Sequence, residues 1–256
     1  MSDSATVHDL SGDPVQRARE DLAAAYRLCV RFGLNEGIDN HLSLAVPGED
    51  DRFLLIPYGL HWSEVTASNL VVVDGEGNLV EGDGYLEPTA FYIHAAIHKA
   101  RPDARCVMHA HMPHALALTM IADGRLEMAD QNALRFWGRV AYDDTYGGLA
   151  MDWAEADRIA AAMGEADILF MANHGITLAR STVAAAWEDL YYLEQACRAQ
   201  VLAMSTGRPL KIISDNMAAE VAAGIRAEQS GQAANTDRHL EALKRVLDRE
   251  GADFRD

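Results

Sequence analysis

Residues 100–116 read ARPDARCVMHAHMPHAL, and the order of signals in them decides the class of fold. Arg101-Pro102-Asp103 is a helix stop, because a proline pushes the residue before it out of helical backbone. The stretch ARCVMHAH at 104–111 then reads as a buried strand, closed by Pro113, with a further helix expected from His114 to Ile121. Upstream, Pro88-Thr89 opens a helix that carries Phe91, Ala95 and Ile97-His98 and runs to Ala100. Helix, strand and helix in so short a span indicate a mixed α/β domain.

The alternation extends outward. Pro14 opens a helix with Leu22, Ala25, Tyr26, Cys29 and Phe32 at three- and four-residue steps, ended by Gly33 and the polar Asn35–Gly37. HLSLAV at 41–46 alternates, whereas FLLIP at 53–57 and LVVVD at 70–74 are compact apolar runs. Gly75-Glu76-Gly77-Asn78 reads as a hairpin turn into LVEG. ADILFMANHG at 166–175 is a strand running into a glycine; helices follow over 183–204 and 236–249. With no repeat and no linker, the expectation is a single domain over 14–256, a central sheet with helices packed around it, behind a mobile segment 1–13.

The 256 residues are 49% apolar, enough to bury a substantial core. A formal net charge of −17 opposes binding to nucleic acid or to an anionic membrane surface, since both carry the same sign. Cys29, Cys106 and Cys197 are scattered and odd in number, which points to a reducing compartment rather than a disulfide framework. The start, MSDSATVHDLSGDP, is polar and acidic, unlike a signal peptide. No apolar run reaches the length of about 18 residues that a membrane span requires. A cytoplasmic protein follows, with no nucleic-acid or membrane partner.

Side chains two apart on a strand share a face, so His109 and His111 project together while Ala110 turns away. Two imidazoles at the end of an apolar strand need satisfying groups. One reading is a divalent metal; the other is a pair of hydrogen-bonded strand-end histidines. A metal would take a third ligand from elsewhere, and His174, at the end of ILFMAN and followed by Gly175, is the candidate. Three nitrogen ligands with an open position make a catalytic rather than a closed structural site. His114 falls past Pro113, outside the ligand set.

Three segments together resemble the class II aldolase/adducin family. RPDARCVMHAHMPHALALTM (101–120) is similar to its helix stop and HxH strand, MANHGITLARSTVAAAWEDLYYLEQACRAQ (171–200) to its NHG segment and long helix, and LLIPYGLHWSEVTASNLVVVDGEGNLVEG (54–82) to its earlier strand, loop and hairpin. The resemblance spans residues 15–205. It implies a three-layer α/β/α fold around a central, mainly antiparallel sheet of the nine-stranded type seen in fuculose-phosphate aldolases. It also implies one divalent metal ion per subunit on His109, His111 and His174, zinc first and manganese, cobalt or iron next. A homotetramer with sites near subunit interfaces is implied too. In the family's aldolases the metal polarises substrate oxygens for carbon–carbon bond cleavage or formation beside a carbonyl.

The chain departs from the pattern of those aldolases where they carry a glutamate eleven residues before the arginine of RPD. That position is Ala90, which cannot move a proton. Glu87 is either a substitute acid/base or a helix-start carboxylate favoured by the dipole. His41 and His94, one helical turn after Ala90, are imidazoles that could take over the proton transfer, or packed histidines; His98, a further turn on, falls outside the site. Where sugar-phosphate aldolases have small phosphate-cradling residues, this chain has Asn40-His41-Leu42-Ser43, Pro57-Tyr58-Gly59-Leu60-His61-Trp62 and Pro88-Thr89. A substrate without a phosphate, larger and flatter than a sugar, is expected, with Asn40, Tyr58, His61 and Trp62 lining its pocket or, for the last three, packing on the core.

Tyr142, or Tyr146, in VAYDDTYGG falls where family members lend a tyrosine to a neighbouring subunit's site, a packed interface tyrosine being the other reading. Asn132 and Arg135 in QNALRF are candidates to approach the site, the arginine holding a carboxylate. The leading function is a metal-dependent lyase, by retro-aldol cleavage or decarboxylation, on a non-phosphorylated carbonyl or aromatic acid. The competing ones are a non-haem iron oxygenase on the same fold and a non-catalytic scaffold like the adducin heads.

Overall fold

A computed structural model describes residues 13–229 and 235–256; residues 1–12 of the expected mobile segment lie outside it. Helix α1 (Pro14–Phe32) begins where Asp13 accepts a hydrogen bond from the Val15 amide at 2.9 Å, and ends at Gly33, whose φ of 66° is left-handed. Strands β1 (His41–Ala45), β2 (Arg52–Leu55), β3 (Val71–Asp74) and β4 (Leu79–Glu81) follow, then α2 (Pro88–Ala100), β5 (Cys106–Ala110), α3 (Pro113–Thr119) and β6 (Val140–Asp143). The chain continues through α4 (Trp153–Met163), β7 (Ile168–Met171), β8 (Gly175–Arg180), α5 (Val183–Met204), α6 (Asp215–Gln229) and α7 (Asn235–Arg249).

The strands form one sheet in the order β4-β3-β2-β1-β5-β8-β7-β6, antiparallel at every pair except β6–β7. Among the described residues it has eight strands, where the resemblance implied nine. The sheet lies between two helical layers, as expected of a three-layer α/β/α fold. On one side α1, α3 and α5 pack on Leu42, Leu44, Met108 and Leu178, with α7 outside them against α5 and α1. On the other, Ile93 and Ile97 of α2 and Ile159 and Met163 of α4 pack on Val107, Leu169 and Ala179.

Two local expectations change. HLSLAV alternates in sequence, yet all of β1 is buried, because β1 is an interior strand covered on both faces. The segment ending in NHG is not one strand running to Gly175: β7 stops at Met171, a turn carries Ala172–His174, and Gly175 opens β8.

The α2 side of the sheet is unusual in its middle. Its apolar packing falls into two clusters, one around Val107 and Leu169 and the other around Phe53, Leu55, Val71 and Val73. His41 and Ser43 of β1, His109 of β5, and His94 and His98 of α2 are all buried polar side chains on this side of the sheet.

Candidate metal centre

Strands β5 and β8 are neighbours in the sheet, which brings the end of β5 beside the β7–β8 turn. His109 lies in β5, His111 one residue past its end, and His174 in the turn; a ligand nitrogen from each falls within 4.8 Å of the others. Their ring centroids are 4.8–5.1 Å apart. The turn depends on Gly175, whose φ is 154° and where a Cβ would sit 2.8 Å from His111 Cδ2 and 2.9 Å from the Ala110 carbonyl oxygen. Only glycine fits so near the His111 ring.

The other ring nitrogens are already engaged. His109 Nδ1 donates to the Ile176 carbonyl at 2.9 Å and lies 3.1 Å from Thr177 Oγ1. His111 Nδ1 is 2.6 Å from Glu36 Oε2. Both leave Nε2 for a ligand, and His111 Nε2 is buried with no hydrogen-bond partner. An unpartnered buried nitrogen beside two further imidazoles fits a divalent cation.

Glu36, Ile176 and Thr177 are residues that sequence reasoning did not find. Glu36 lies in the segment read as the end of α1, and no local spacing links it to His111. Carboxylates that hold the far nitrogen of a metal-binding histidine orient the ring and raise its basicity. Glu36→Gln is accordingly expected to weaken zinc binding about 10- to 100-fold, read by competition with a chromophoric chelator. Unchanged affinity would remove Glu36 from the site.

The three imidazoles open onto a cavity of about 290 Å³ that is also lined by Asn40, His41, Tyr58 and Glu87. Asn40 adopts left-handed backbone at φ 68°, and its Oδ1 accepts the His111 amide at 3.0 Å, fixing the chain that carries the His111 ring. The His41 ring stacks on His109 with centroids 5.3 Å apart. Tyr58 is exposed at the rim. Glu87 caps α2, its carboxylate taking the Ala90 amide at 2.8 Å and the Thr89 hydroxyl. It therefore has the helix-start role while also forming part of the cavity wall.

Other expected site residues lie elsewhere. His94 sits behind His41, with Nε2 at 3.0 Å from His41 Nδ1, and does not line the cavity. Trp62 is fully buried in the core, edge-on to Tyr26 at 4.8 Å. His61 caps the short 3₁₀ turn that begins at Trp62 and is not in the cavity wall. The loop folds inward because a large indole gains more by burial than by lining a half-open pocket. Arg135 is held by Glu188 at 3.2 Å and stacks over Tyr192, away from the cavity. Tyr142 packs on Phe170 beneath Arg125, its hydroxyl accepting the Leu126 amide, whereas Tyr146 comes within 6.5 Å of His174, ring to ring. His114 pairs with Glu194 at 2.6 Å, outside the cluster as expected.

Burial dominates the electrostatics. It pushes His109 well below the usual histidine range, aided by His174 and the other rings, and brings His174 down to about 4. His94 is likewise held well below its ordinary value by burial, and His98 falls to about 4. Because a depressed histidine resists protonation only when folded, this stability is complete above the unfolded value of about 6.5 and is lost as pH falls toward 4. The denaturant midpoint is expected to drop between pH 7 and pH 5. His94 and His98 each contribute roughly 1.4 kcal/mol per pH unit once the unfolded chain is protonated. A midpoint that stays level or rises would contradict a neutral interior.

Cys29, Cys106 and Cys197 are buried free thiols. No described helix is long and apolar enough to cross a membrane.

The family described as Class II Aldolase and Adducin N-terminal domain matches residues 20–201. A Caulobacter vibrioides protein named after the class 2 aldolases is 41% identical over 193 residues, 75% of this chain and 74% of that protein. The crystal structure of an aldolase II superfamily protein from Pseudomonas syringae superimposes with a TM-score of 0.88 at 36% identity, covering 98% of this chain and 100% of that one. Alpha-adducin of Rattus norvegicus is 36% identical over 197 residues, 75% of this chain but 26% of its own length.

Proposed function

Because this chain belongs to the class II aldolase and adducin family, we propose that it is a divalent-metal-dependent carbon–carbon lyase acting on a small, non-phosphorylated carbonyl or aromatic acid substrate. The observation that carries the reading is the buried, unpartnered His111 Nε2 among three imidazoles whose ligand atoms converge. Zinc suits three neutral imidazoles with an open position; manganese, cobalt and iron are accommodated by the same donors. Such an ion would supply Lewis acidity toward a carbonyl or carboxylate oxygen.

The chain's own residues supply the rest. Ala90 stands in the cavity wall with no proton to move, and the wall's imidazole beside the triad is His41, which burial pulls down to about 3 and so keeps neutral, with a lone pair to accept a proton in the acid/base role. Glu87 is committed to capping α2. Among the described residues, the cavity wall has no lysine or arginine, while Ile38, Leu55, Leu86, Phe91, Leu149 and Met151 make it largely apolar. That lining favours a flat, weakly charged molecule over a sugar phosphate, and a carboxylate would have the bound cation as its counter-charge. Cleavage by retro-aldol and by decarboxylation both fit, since each leaves electron density beside a polarised oxygen. A homotetramer covering the exposed Tyr146, Leu149 and Met151 near the rim, in the cytoplasm, belongs to the same reading.

Elemental analysis of the purified protein, followed by a screen of unphosphorylated hydroxy- and keto-acids for aldehyde or carbon dioxide release, tests it. Iron with oxygen uptake would replace the lyase by an oxygenase. The 36% identity to alpha-adducin supports a second reading, a non-catalytic scaffold. Absence of any bound metal would favour that one.

A further inference from the structure

A continuous chain of hydrogen bonds crosses the α2 side of the domain behind the cavity. His98 Nδ1 lies 3.0 Å from the Ala104 carbonyl oxygen, and its Nε2 lies 2.7 Å from Ser43 Oγ. Ser43 Oγ is 2.5 Å from His94 Nδ1, and His94 Nε2 is 3.0 Å from His41 Nδ1. All four side chains are buried, and His41 alone of the four lines the cavity.

The direction of this chain is fixed at its far end. A carbonyl oxygen only accepts, so His98 Nδ1 carries the proton. Neutral His98 then has a bare Nε2, which accepts from the Ser43 hydroxyl. Ser43 has one hydrogen, so its oxygen must accept from His94 Nδ1–H. Neutral His94 in turn has a bare Nε2, which accepts from His41 Nδ1–H. Burial keeps His94 and His98 in the neutral form on which this logic depends. A charge on either ring would reverse the links between it and His41.

We propose that Ser43, His94 and His98 form a buried relay that transmits hydrogen-bond polarity from the Ala104 carbonyl to His41, locking His41 in the Nδ1–H tautomer with its Nε2 lone pair free for the cavity. Ser43, His94 and His98 are positioning residues; none touches the cavity. The relay supplies what position 90 lacks, a base whose lone pair is set before substrate arrives. Its catalytic use rests on the reading of His41 as the acid/base, while the tautomer assignment stands on the hydrogen-bond geometry together with the neutrality of the two buried rings. Each link is a buried polar pair, and a member left unpartnered there is costly, so the four side chains hold one another's donor–acceptor order.

The test is a long-range proton–nitrogen correlation spectrum of the full-length protein with nitrogen-15-labelled histidine, recorded metal-free and zinc-loaded near pH 7.5. Single-histidine variants assign the signals. In the wild type, His41, His94 and His98 should each show a protonated Nδ1 and a bare Nε2. Ser43→Ala should remove the acceptor of His94 and turn His41 and His94 into tautomer mixtures, while Ser43→Thr, which keeps the hydroxyl, should restore the wild-type pattern. A protonated Nε2 on any of the three rings in the wild type overturns the relay, whether or not Ser43→Ala folds. So does a His41 signal unchanged in Ser43→Ala. A protein with these tautomers but no bound metal would sink the lyase reading and leave the relay intact; zinc binding with the opposite tautomers would do the reverse.

Discussion

His109→Ala is expected to abolish stoichiometric zinc binding and to lower turnover of a substrate found by the screen about a thousand-fold. His109 is the one buried member of the triad, set in β5 and held through Nδ1 by the Ile176 carbonyl, so its Nε2 is the least mobile of the three donors. With it gone, His111 just past β5 and His174 in the β7–β8 turn leave two donors, too few for a tight zinc site. Loss of the Lewis acid removes several kcal/mol of transition-state stabilisation, and about 4 kcal/mol corresponds to a thousand-fold in rate. The same change leaves the Ile176 carbonyl without its donor and opens a small void, so stability falls by about 1–3 kcal/mol. Metal content per chain, measured after dialysis on samples of verified fold, decides the matter. Retention of one equivalent at wild-type affinity would remove His109 from the ligand set.

Trp62→Ala tests the opposite kind of residue. An aromatic side chain that lines a pocket and one that fills a core look alike in the sequence GLHWSE, but they fail differently. Trp62 is completely buried, packed edge-on against Tyr26, and its indole nitrogen has no partner, so its contribution is packing. Truncation is expected to cost about 3–5 kcal/mol, seen as a lower denaturant midpoint at unchanged slope. Zinc stoichiometry should not change. Weaker substrate binding at wild-type stability would return Trp62 to the pocket wall.

Where the sequence carried local periodicity, the fold was legible. The α1 stripe from Leu22 to Cys29, the stop at Arg101-Pro102-Asp103 and the hairpin at 75–78 are decided by residues within a turn or two of each other, and the structure has them there. The two-residue step of His109 and His111 was legible for the same reason, and His174 through the glycine after it. What was not legible is long-range. Glu36 meets His111 across 75 positions, and Ser43 meets His94 and His98 across more than 50. No pattern within a single element announces such pairs. Helix α4 went unread; Ala156 and Ala160 supply half of its buried face, with Ile159 and Met163. Nor does local spacing show that Arg135 meets Glu188 and Tyr192, on a helix some fifty residues away.

The histidine seam beneath α2 has a consequence for how such a chain can change over generations. Apolar neighbours on either side of it sit in separate clusters and can be exchanged one at a time for residues of similar volume. A member of the seam cannot, because each must receive a hydrogen from one neighbour and pass one to the next. Substitutions there are epistatic: a change at Ser43 is tolerated only if the newcomer keeps the same donor–acceptor order, or if His94 and His98 change with it. Any replacement that alters the donor–acceptor order therefore needs a matching change elsewhere in the strip, while the packing around it can change one residue at a time.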